Sequence, residues 1–265
     1  MKSETKIIGI LLAKNEEFFV ERAVQNALAF CDEFILVDNE STDRTFEILA
    51  GIQKTYPDKV HLHKYRKPGV SHDLIAGFAG TKTWIFGVDG DEIYDPIGLS
   101  RMRERVIGGE FDGSWCVFGN VLNVKSLESQ SCRATGHLAP PCRSMTKLYN
   151  FAAIEAWDGP CQERLHGGTI RFRDGYHAGL RYNFHEENEW EASDFRCLHL
   201  CFLKRSSVDP EGRIRQNIMD RHSWHWEKIR DKFLAFLSGK KAPNWKEQKY
   251  ARGPLVEKTV DAFSL

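Results

Sequence analysis

Residues 84–92 read WIFGVDGDE. Five apolar or small residues, Trp84 to Val88, make a short run of the kind that forms a strand buried on both faces. Three carboxylates follow within four residues: Asp89, Asp91 and Glu92. Working outward from this stretch, the same grammar recurs. Lys6–Ala13 (KIIGILLA) is another continuous apolar run. Val20, Ala23, Val24, Ala27 and Leu28 then follow the i, i+3, i+4, i+7, i+8 spacing of an amphipathic helix. Glu33–Asp38 is a second strand, and NESTD (39–43) is turn and capping chemistry. A helix is predicted from about Arg44 to Gln53, a strand over Val60–Tyr65, a short helix over His72–Gly80, and a fourth strand over Thr83–Asp89. Strand alternating with helix four times predicts an α/β fold with a doubly wound, mostly parallel sheet. Ligands of such sheets bind at the carboxyl ends of the strands. Asn15, Glu16, Asp38, Asp89 and Asp91 all fall there.

Beyond about residue 110 the alternation weakens. Ser114–Asn123 and Thr146–Phe151 read as strands. Lys125–Ser144, with Pro140-Pro141, reads as a polar loop too long for a simple hairpin. In the tail, His222–Leu237 has helical spacing, with Trp226, Ile229, Phe233, Phe236 and Leu237 on one side.

Composition narrows the function classes. The chain has 265 residues, with Lys+Arg and Asp+Glu both at 37, so net charge gives no argument for a nucleic-acid partner. No apolar run reaches the roughly 20 residues of a membrane-spanning helix. The N-terminal run is followed at once by acidic residues without a small-residue cleavage site, so a cytoplasmic location is expected. Seven cysteines, an odd number without a Cys-x-x-Cys, fit reduced, buried thiols. Two groups, Cys197/His199/Cys201 and Cys132/His137/Cys142, combine zinc-type ligands, but their spacings match no common zinc site.

The acidic end of WIFGVDGDE admits two readings. One is a solvated acidic turn before a helix. The other is a divalent cation that relieves the mutual repulsion of the carboxylates. Hard oxygen ligands suit Mg²⁺ or Mn²⁺, and Mg²⁺ usually completes its shell with substrate phosphates. A calcium loop fails because Ile93 stands where an oxygen ligand is needed. Neither GxGxxG nor GxxxxGK[ST] occurs.

Three segments taken together, AKNEE (13–17), FILVDNESTDRTFEIL (34–49) and WIFGVDGDE (84–92), resemble glycosyltransferase family 2 in order and spacing. The resemblance covers about residues 6–110 and is strongest to small, non-processive bacterial sugar transferases of lipopolysaccharide and capsule synthesis. It implies a GT-A fold: a Rossmann-like nucleotide-binding half of about 1–112, a mixed acceptor half of about 113–205, and a basic helical extension over 206–265. Ala13, Asn15 and Glu16 would line the nucleotide pocket. Asp38 would meet the base or ribose, although helix capping is its other reading. His72 would begin a donor-contacting helix. Asp89 and Gly90 would meet the ribose or a metal-bound water. Asp91 would bind Mn²⁺ or Mg²⁺, with His199 as a further metal or diphosphate ligand or, alternatively, a buried hydrogen-bonded histidine.

The resemblance further implies inversion at the sugar carbon and one carboxylate base on the acceptor side, with Glu163 first and Asp158 second. Gln162 replaces the histidine expected beside Glu163. A non-catalytic relative that keeps the nucleotide-sugar pocket is therefore the second reading. Lys204 and Arg205 would meet phosphate or face water. Trp157, Tyr176, Tyr182 and Trp190 would offer faces to an acceptor sugar or belong to the core. The expected partners are a nucleotide-diphosphate sugar, UDP-linked in the commonest case, and a saccharide or lipid-linked saccharide. The Gln-x-x-Arg-Trp motif of chain-building members is absent. The tail's basic and aromatic residues, Trp224 to Lys241, would either rest on the inner membrane face or form a helix packed on the domain.

Overall fold

The structure is a computed structural model that describes residues 4–66, 73–142, 147–158, 169–209 and 245–264. Its first ninety residues follow the alternation read from the sequence. Strands β1 (Lys6–Ala13), β2 (Glu33–Asp38), β3 (Val60–Lys64) and β4 (Thr83–Asp89) enclose helices α1 (Val20–Leu28), α2 (Thr45–Thr55) and α3 (Asp73–Ala76). The four strands pair in parallel in the order β3-β2-β1-β4. Side chains of β1 alternate between two cores. Ile7, Leu11 and Ala13 enter one, and Ile8, Ile10 and Leu12 the other. That double burial is why the strand carries no charged or polar side chain from Ile7 to Ala13. Gly9 carries no side chain at all, because a Cβ there would sit 2.0 Å from the Phe34 ring that crosses it. On α1 the predicted face, Val20, Ala23, Val24, Ala27 and Leu28, is buried.

After β4 come β5 (Glu92–Tyr94) and α4 (Pro96–Ile107). Asp95 caps α4 by accepting from the backbone N–H groups of Ile97 and Gly98, and Pro96 occupies the first turn, where its missing N–H costs nothing. The second half of the chain builds a second sheet and extends the first. Its strands are β6 (Cys116–Phe118), β7 (Asn120–Glu128), β8 (Arg133–Ala139), β9 (Lys147–Asn150), β10 (Ile154–Asp158), β11 (Thr169–Phe172), β12 (Arg181–Asn183), β13 (Arg196–His199) and β14 (Val256–Thr259). Short helices α5 (Phe184–Glu187) and α6 (Trp245–Tyr250) lie among them. β9, β6 and β12 continue the first sheet beyond β4, with β9 antiparallel to both β4 and β6. The second sheet runs β14-β8-β7-β13-β5, and β10 pairs with β11 alone.

Two sequence expectations need correction. Ser114–Asn123 is not one strand. It breaks between Phe118 and Asn120, and its two pieces belong to different sheets. Nor is Lys125–Ser144 a loop: most of it forms the paired arms of β7 and β8, with a register shift between Val124 and Ser126. The outer part of the hairpin carries exposed Lys125, Ser126 and Glu128. A strand with such a solvated stretch lacks the apolar pattern by which strands are recognised. The predicted helix His222–Leu237 lies outside the described residues. No described helix is long and apolar enough to cross a membrane.

Candidate active site

The carboxyl edge of the parallel strands gathers the residues singled out from the sequence. Ala13 is in register with Asp38 across β1 and β2, and Leu12 with Asp89 across β1 and β4. The loops that follow are clipped together. Asn15 adopts a positive φ of 55°, a conformation asparagine tolerates better than most residues. Its Oδ1 accepts from Thr42 N at 2.8 Å, and its own N–H donates to Ser41 Oγ at 3.0 Å. Glu16 N donates to Thr45 Oγ1 at 2.7 Å, and Asn39 N to Ala13 O at 2.8 Å. AKNEE and NESTD thus form one rigid double loop. Asp38, fully buried, accepts from Ser41 N at 3.1 Å. The local turn is therefore one of its roles, while the oxygen of Asp43 that accepts from Thr45 N at 3.0 Å serves the start of α2. Gly90 is required sterically, because a Cβ there would lie 2.8 Å from Cγ of Glu16.

The three carboxylates of the DGDE turn have different surroundings. Glu92 points inward. Its Oε2 accepts from Tyr94 OH at 2.7 Å and from Asp89 N at 3.3 Å, so it braces the turn from below. Asp89 is half-buried and Asp91 is buried. The partner of Asp91 arrives from far along the chain. β13 runs antiparallel to β5, with His199 opposite Glu92, and Leu200 N donates to Asp91 O at 2.8 Å. This pairing sets His199 Nε2 3.7 Å from Asp91 Oδ2.

The tautomer of His199 follows from its other neighbour. Asn123 Nδ2 donates to His137 O at 3.3 Å, which turns Asn123 Oδ1 toward His199 Nδ1 at 2.8 Å. An amide oxygen can only accept, so Nδ1 carries the hydrogen and the lone pair of Nε2 faces Asp91. Burial, reinforced by Arg205 and Lys249 against the opposing pull of Asp91 and Asp89, pushes the imidazole pKa down to about 4. The ring is therefore neutral at physiological pH. A neutral imidazole whose second nitrogen is held by a carbonyl, beside a carboxylate, is a mixed nitrogen and oxygen donor pair that a transition ion such as Mn²⁺ accepts more readily than the oxygen-preferring Mg²⁺.

Arg205 completes the site. Its guanidinium is largely buried, pairs through Nη1 with Asp91 Oδ2, and reaches Glu16 Oε1 at 3.3 Å. Burial lowers its pKa, but the Asp91 and Glu16 carboxylates outweigh that and the net shift is upward. The following residues seal the corner. Phe18 N donates to Arg205 O at 3.1 Å, Ser206 Oγ to Asp43 Oδ2 at 2.5 Å, and Ser207 N to Glu17 Oε1 at 2.6 Å. Of the two sequence alternatives for Arg205, solvent exposure is excluded; Lys204 is the exposed one.

The structure thus brings Ala13, Asn15, Glu16, Asp38, Asp89, Gly90, Asp91 and His199 to one edge of the fold. His72 and Glu163 lie outside the described residues, and of Asp158 only the backbone, at the end of β10, is described. Among the described residues no three His, Cys, Asp or Glu side chains converge to hold an ion by themselves. The Cys132/His137/Cys142 group is engaged otherwise: His137 Nδ1 lies 3.1 Å from Gly253 O, and Cys142 Sγ 3.0 Å from Tyr250 O. Trp190 offers no face to a sugar, because it is buried and stacked on Phe263 at 5.8 Å. Sequence reasoning missed Asn123 and Tyr250, whose importance depends on contacts made across the fold.

Comparison with known proteins identifies the family. The profile described as "Glycosyl transferase family 2" matches residues 10–186, more than half of the chain. The chain belongs to glycosyl transferase family 2, and its mixed α/β architecture is that of the GT-A fold. An uncharacterized glycosyltransferase, RT0209, of Rickettsia typhi is 36% identical over 90 residues, which cover 33% of this chain and 28% of that protein. Another from Rickettsia bellii is 34% identical over the same shares. The match spans less than a third of the length of these curated relatives. Among solved structures, S. aureus TarS 1–349 in complex with UDP is 18% identical at a TM-score of 0.39, covering 56% of this chain and 48% of that one. Glucosyl-3-phosphoglycerate synthase from Mycobacterium tuberculosis, solved with Mn²⁺ and UDP-glucose, is 18% identical at a TM-score of 0.38, covering 60% and 62%.

Proposed function

We propose that the chain is a metal-dependent, inverting glycosyltransferase that moves a single sugar from a nucleotide-diphosphate sugar to an acceptor hydroxyl, in the synthesis of bacterial surface polysaccharide or lipopolysaccharide. The observation that carries this reading is the approach of His199 Nε2 to Asp91 Oδ2, 3.7 Å, at the carboxyl edge of the parallel strands. Asp91 and His199 would hold Mn²⁺ or Mg²⁺, leaving its other positions to phosphate oxygens and water. Bound there, the cation would stabilise negative charge on the departing diphosphate. Arg205, on the same carboxylate, is a second positive charge within the site.

The remaining roles belong to the chain's own residues. Asp38 and the double loop around Asn15 would receive the base or ribose of a UDP-type donor, with Asp89 and Gly90 at the ribose or a metal-bound water. The base that takes the proton from the acceptor hydroxyl would be Glu163 in preference to Asp158, the last residue of β10. A saccharide or lipid-linked saccharide is the proposed acceptor, and the basic and aromatic residues Trp224 to Lys241 of the 206–265 extension the proposed contact with an inner membrane face. The halves of about 1–112 and 113–205 would divide donor and acceptor binding.

A thermal-shift panel of UDP, GDP, dTDP and CMP sugars, each with and without Mn²⁺, tests the reading. A ligand at 100 times its dissociation constant adds about 2.7 kcal/mol of apparent stability. One donor should therefore stand out, and only with the cation present. If no nucleotide shifts the transition with Mn²⁺, or if the shift is the same without it, the metal-dependent reading falls.

A further inference from the structure

The last described residues, 245–264, form a wall of this site. The ring of Tyr250, at the end of α6, meets the imidazole of His199 edge to face, with centroids 4.9 Å apart and planes at 84°. Several anchors hold it there. Lys246, buried, donates through Nζ to Cys201 O at 2.7 Å, two residues beyond His199. Cys142 Sγ lies 3.0 Å from Tyr250 O and 3.2 Å from Arg252 O, and Arg252 N donates to that sulfur at 3.2 Å. β14 pairs with β8 from Val256 opposite Gly136 to Thr259 opposite Arg133. Asn26 Nδ2, on α1, donates to Phe263 O at 2.7 Å. The tail also touches the other support of the imidazole. Gly253 O lies 3.1 Å from Nδ1 of His137, whose own carbonyl orients Asn123.

We infer that Tyr250 is a positioning residue for His199. Asn123 holds one edge of the imidazole and the Tyr250 ring confines it from the side, so Nε2 stays aimed at Asp91. The C-terminal segment is then part of the cation site rather than an appendage to the domain. The inference rests on the reading above in which His199 is a metal ligand. Supports of metal ligands typically change metal affinity by about 10–100-fold.

The test is Mn²⁺ binding to the full chain, read from the electron paramagnetic resonance of free Mn²⁺, with no donor or turnover involved. Tyr250→Phe keeps the ring and is expected to bind within about twofold of wild type. Tyr250→Leu keeps bulk without the ring and is expected to bind about tenfold more weakly. His199→Ala should be at least as weak, and Tyr250→Leu combined with His199→Ala no weaker than His199→Ala alone. A purely structural role would instead add its loss to the double variant. Wild-type affinity in Tyr250→Leu beside a weakened His199→Ala, or equal losses in Tyr250→Phe and Tyr250→Leu, overturns the positioning role and leaves the metal reading standing. Wild-type affinity in His199→Ala removes the metal role of His199, and the present inference with it. In the wild-type protein, cross-relaxation between the Tyr250 and His199 ring protons is expected. Its absence overturns the inference whether or not a variant folds.

Discussion

Arg205 is clamped onto Asp91, and the same guanidinium nitrogen lies 3.3 Å from Glu16 Oε1. One cation thus lies between two buried carboxylates that come from different loops. Removing one member of a buried pair leaves charge without compensation and costs about 3–5 kcal/mol. Arg205→Met should therefore lower the melting temperature by about 10 °C, since each kcal/mol moves the transition by about 2–4 °C in a domain of this size. Added Mn²⁺ should recover more stability in the variant than it adds to wild type, because the cation restores the missing positive charge. Scanning fluorimetry with and without Mn²⁺ reads both effects. An unchanged melting temperature would show that Arg205 is only a surface contact.

Asp91→Asn keeps the shape of the turn and removes the charge. The backbone bond from Leu200 N to Asp91 O remains available, so the fold should persist. Mn²⁺-dependent stabilisation by UDP should disappear, whereas Asp89→Asn should weaken it by a smaller factor. Calorimetric titration of UDP with Mn²⁺ separates the two. Equal binding by Asp91→Asn and wild type would remove the carboxylate from the cation site.

The sequence was most legible where local pattern and burial agree. β1, β2 and β4 are buried on both faces, so their apolar runs stand out, and polar residues mark where each run ends. That pattern marks Asp38, Asp89 and Asp91 as strand-end residues in the sequence, and the structure places them at one edge of the sheet. It failed for β7 and β8, whose outer stretch at Lys125, Ser126 and Glu128 faces water and reads as loop. It also missed Asn123 and Tyr250. Each matters only because β13, lying between β5 and β7, carries His199 to a place that no local pattern specifies. Glu92 was visible as a third carboxylate in the turn. Its inward direction became clear only when Tyr94 OH and Asp89 N were seen to donate to it.

Stability should depend on pH through His199. Its folded pKa of about 4 lies below the roughly 6.5 of an unfolded histidine. Between those values the unfolded chain binds a proton that the folded chain refuses, so stability rises with pH there. The contribution is full above about pH 6.5 and is lost as pH falls toward 4. About 2.5 units correspond to about 3 kcal/mol, an upper figure for one group. Urea unfolding of the metal-free chain at pH 7 and pH 5 measures it. In His199→Gln the difference between the two pH values should shrink; an unchanged difference would assign the pH dependence to other groups.

Glu163→Gln tests the base. An inverting transfer needs one group to accept the acceptor hydroxyl's proton as the new bond forms, while donor and cation binding do not require it. The amide preserves size but cannot take the proton at neutral pH. The variant should keep the Mn²⁺-dependent thermal shift with the donor, yet lose turnover by about 10²–10⁴-fold, the usual contribution of general base catalysis. Asp158→Asn should leave turnover within a few-fold of wild type if Glu163 is the base. The reverse pattern transfers the role to Asp158, at the end of β10. Slow hydrolysis of the donor by water, followed as release of the nucleoside diphosphate, provides the assay without knowledge of the acceptor. Donor binding that persists while hydrolysis is undetectable in the wild-type chain would favour a binding protein over an enzyme. Hydrolysis that falls in Glu163→Gln with the donor's thermal shift unchanged would place the chemistry on that carboxylate.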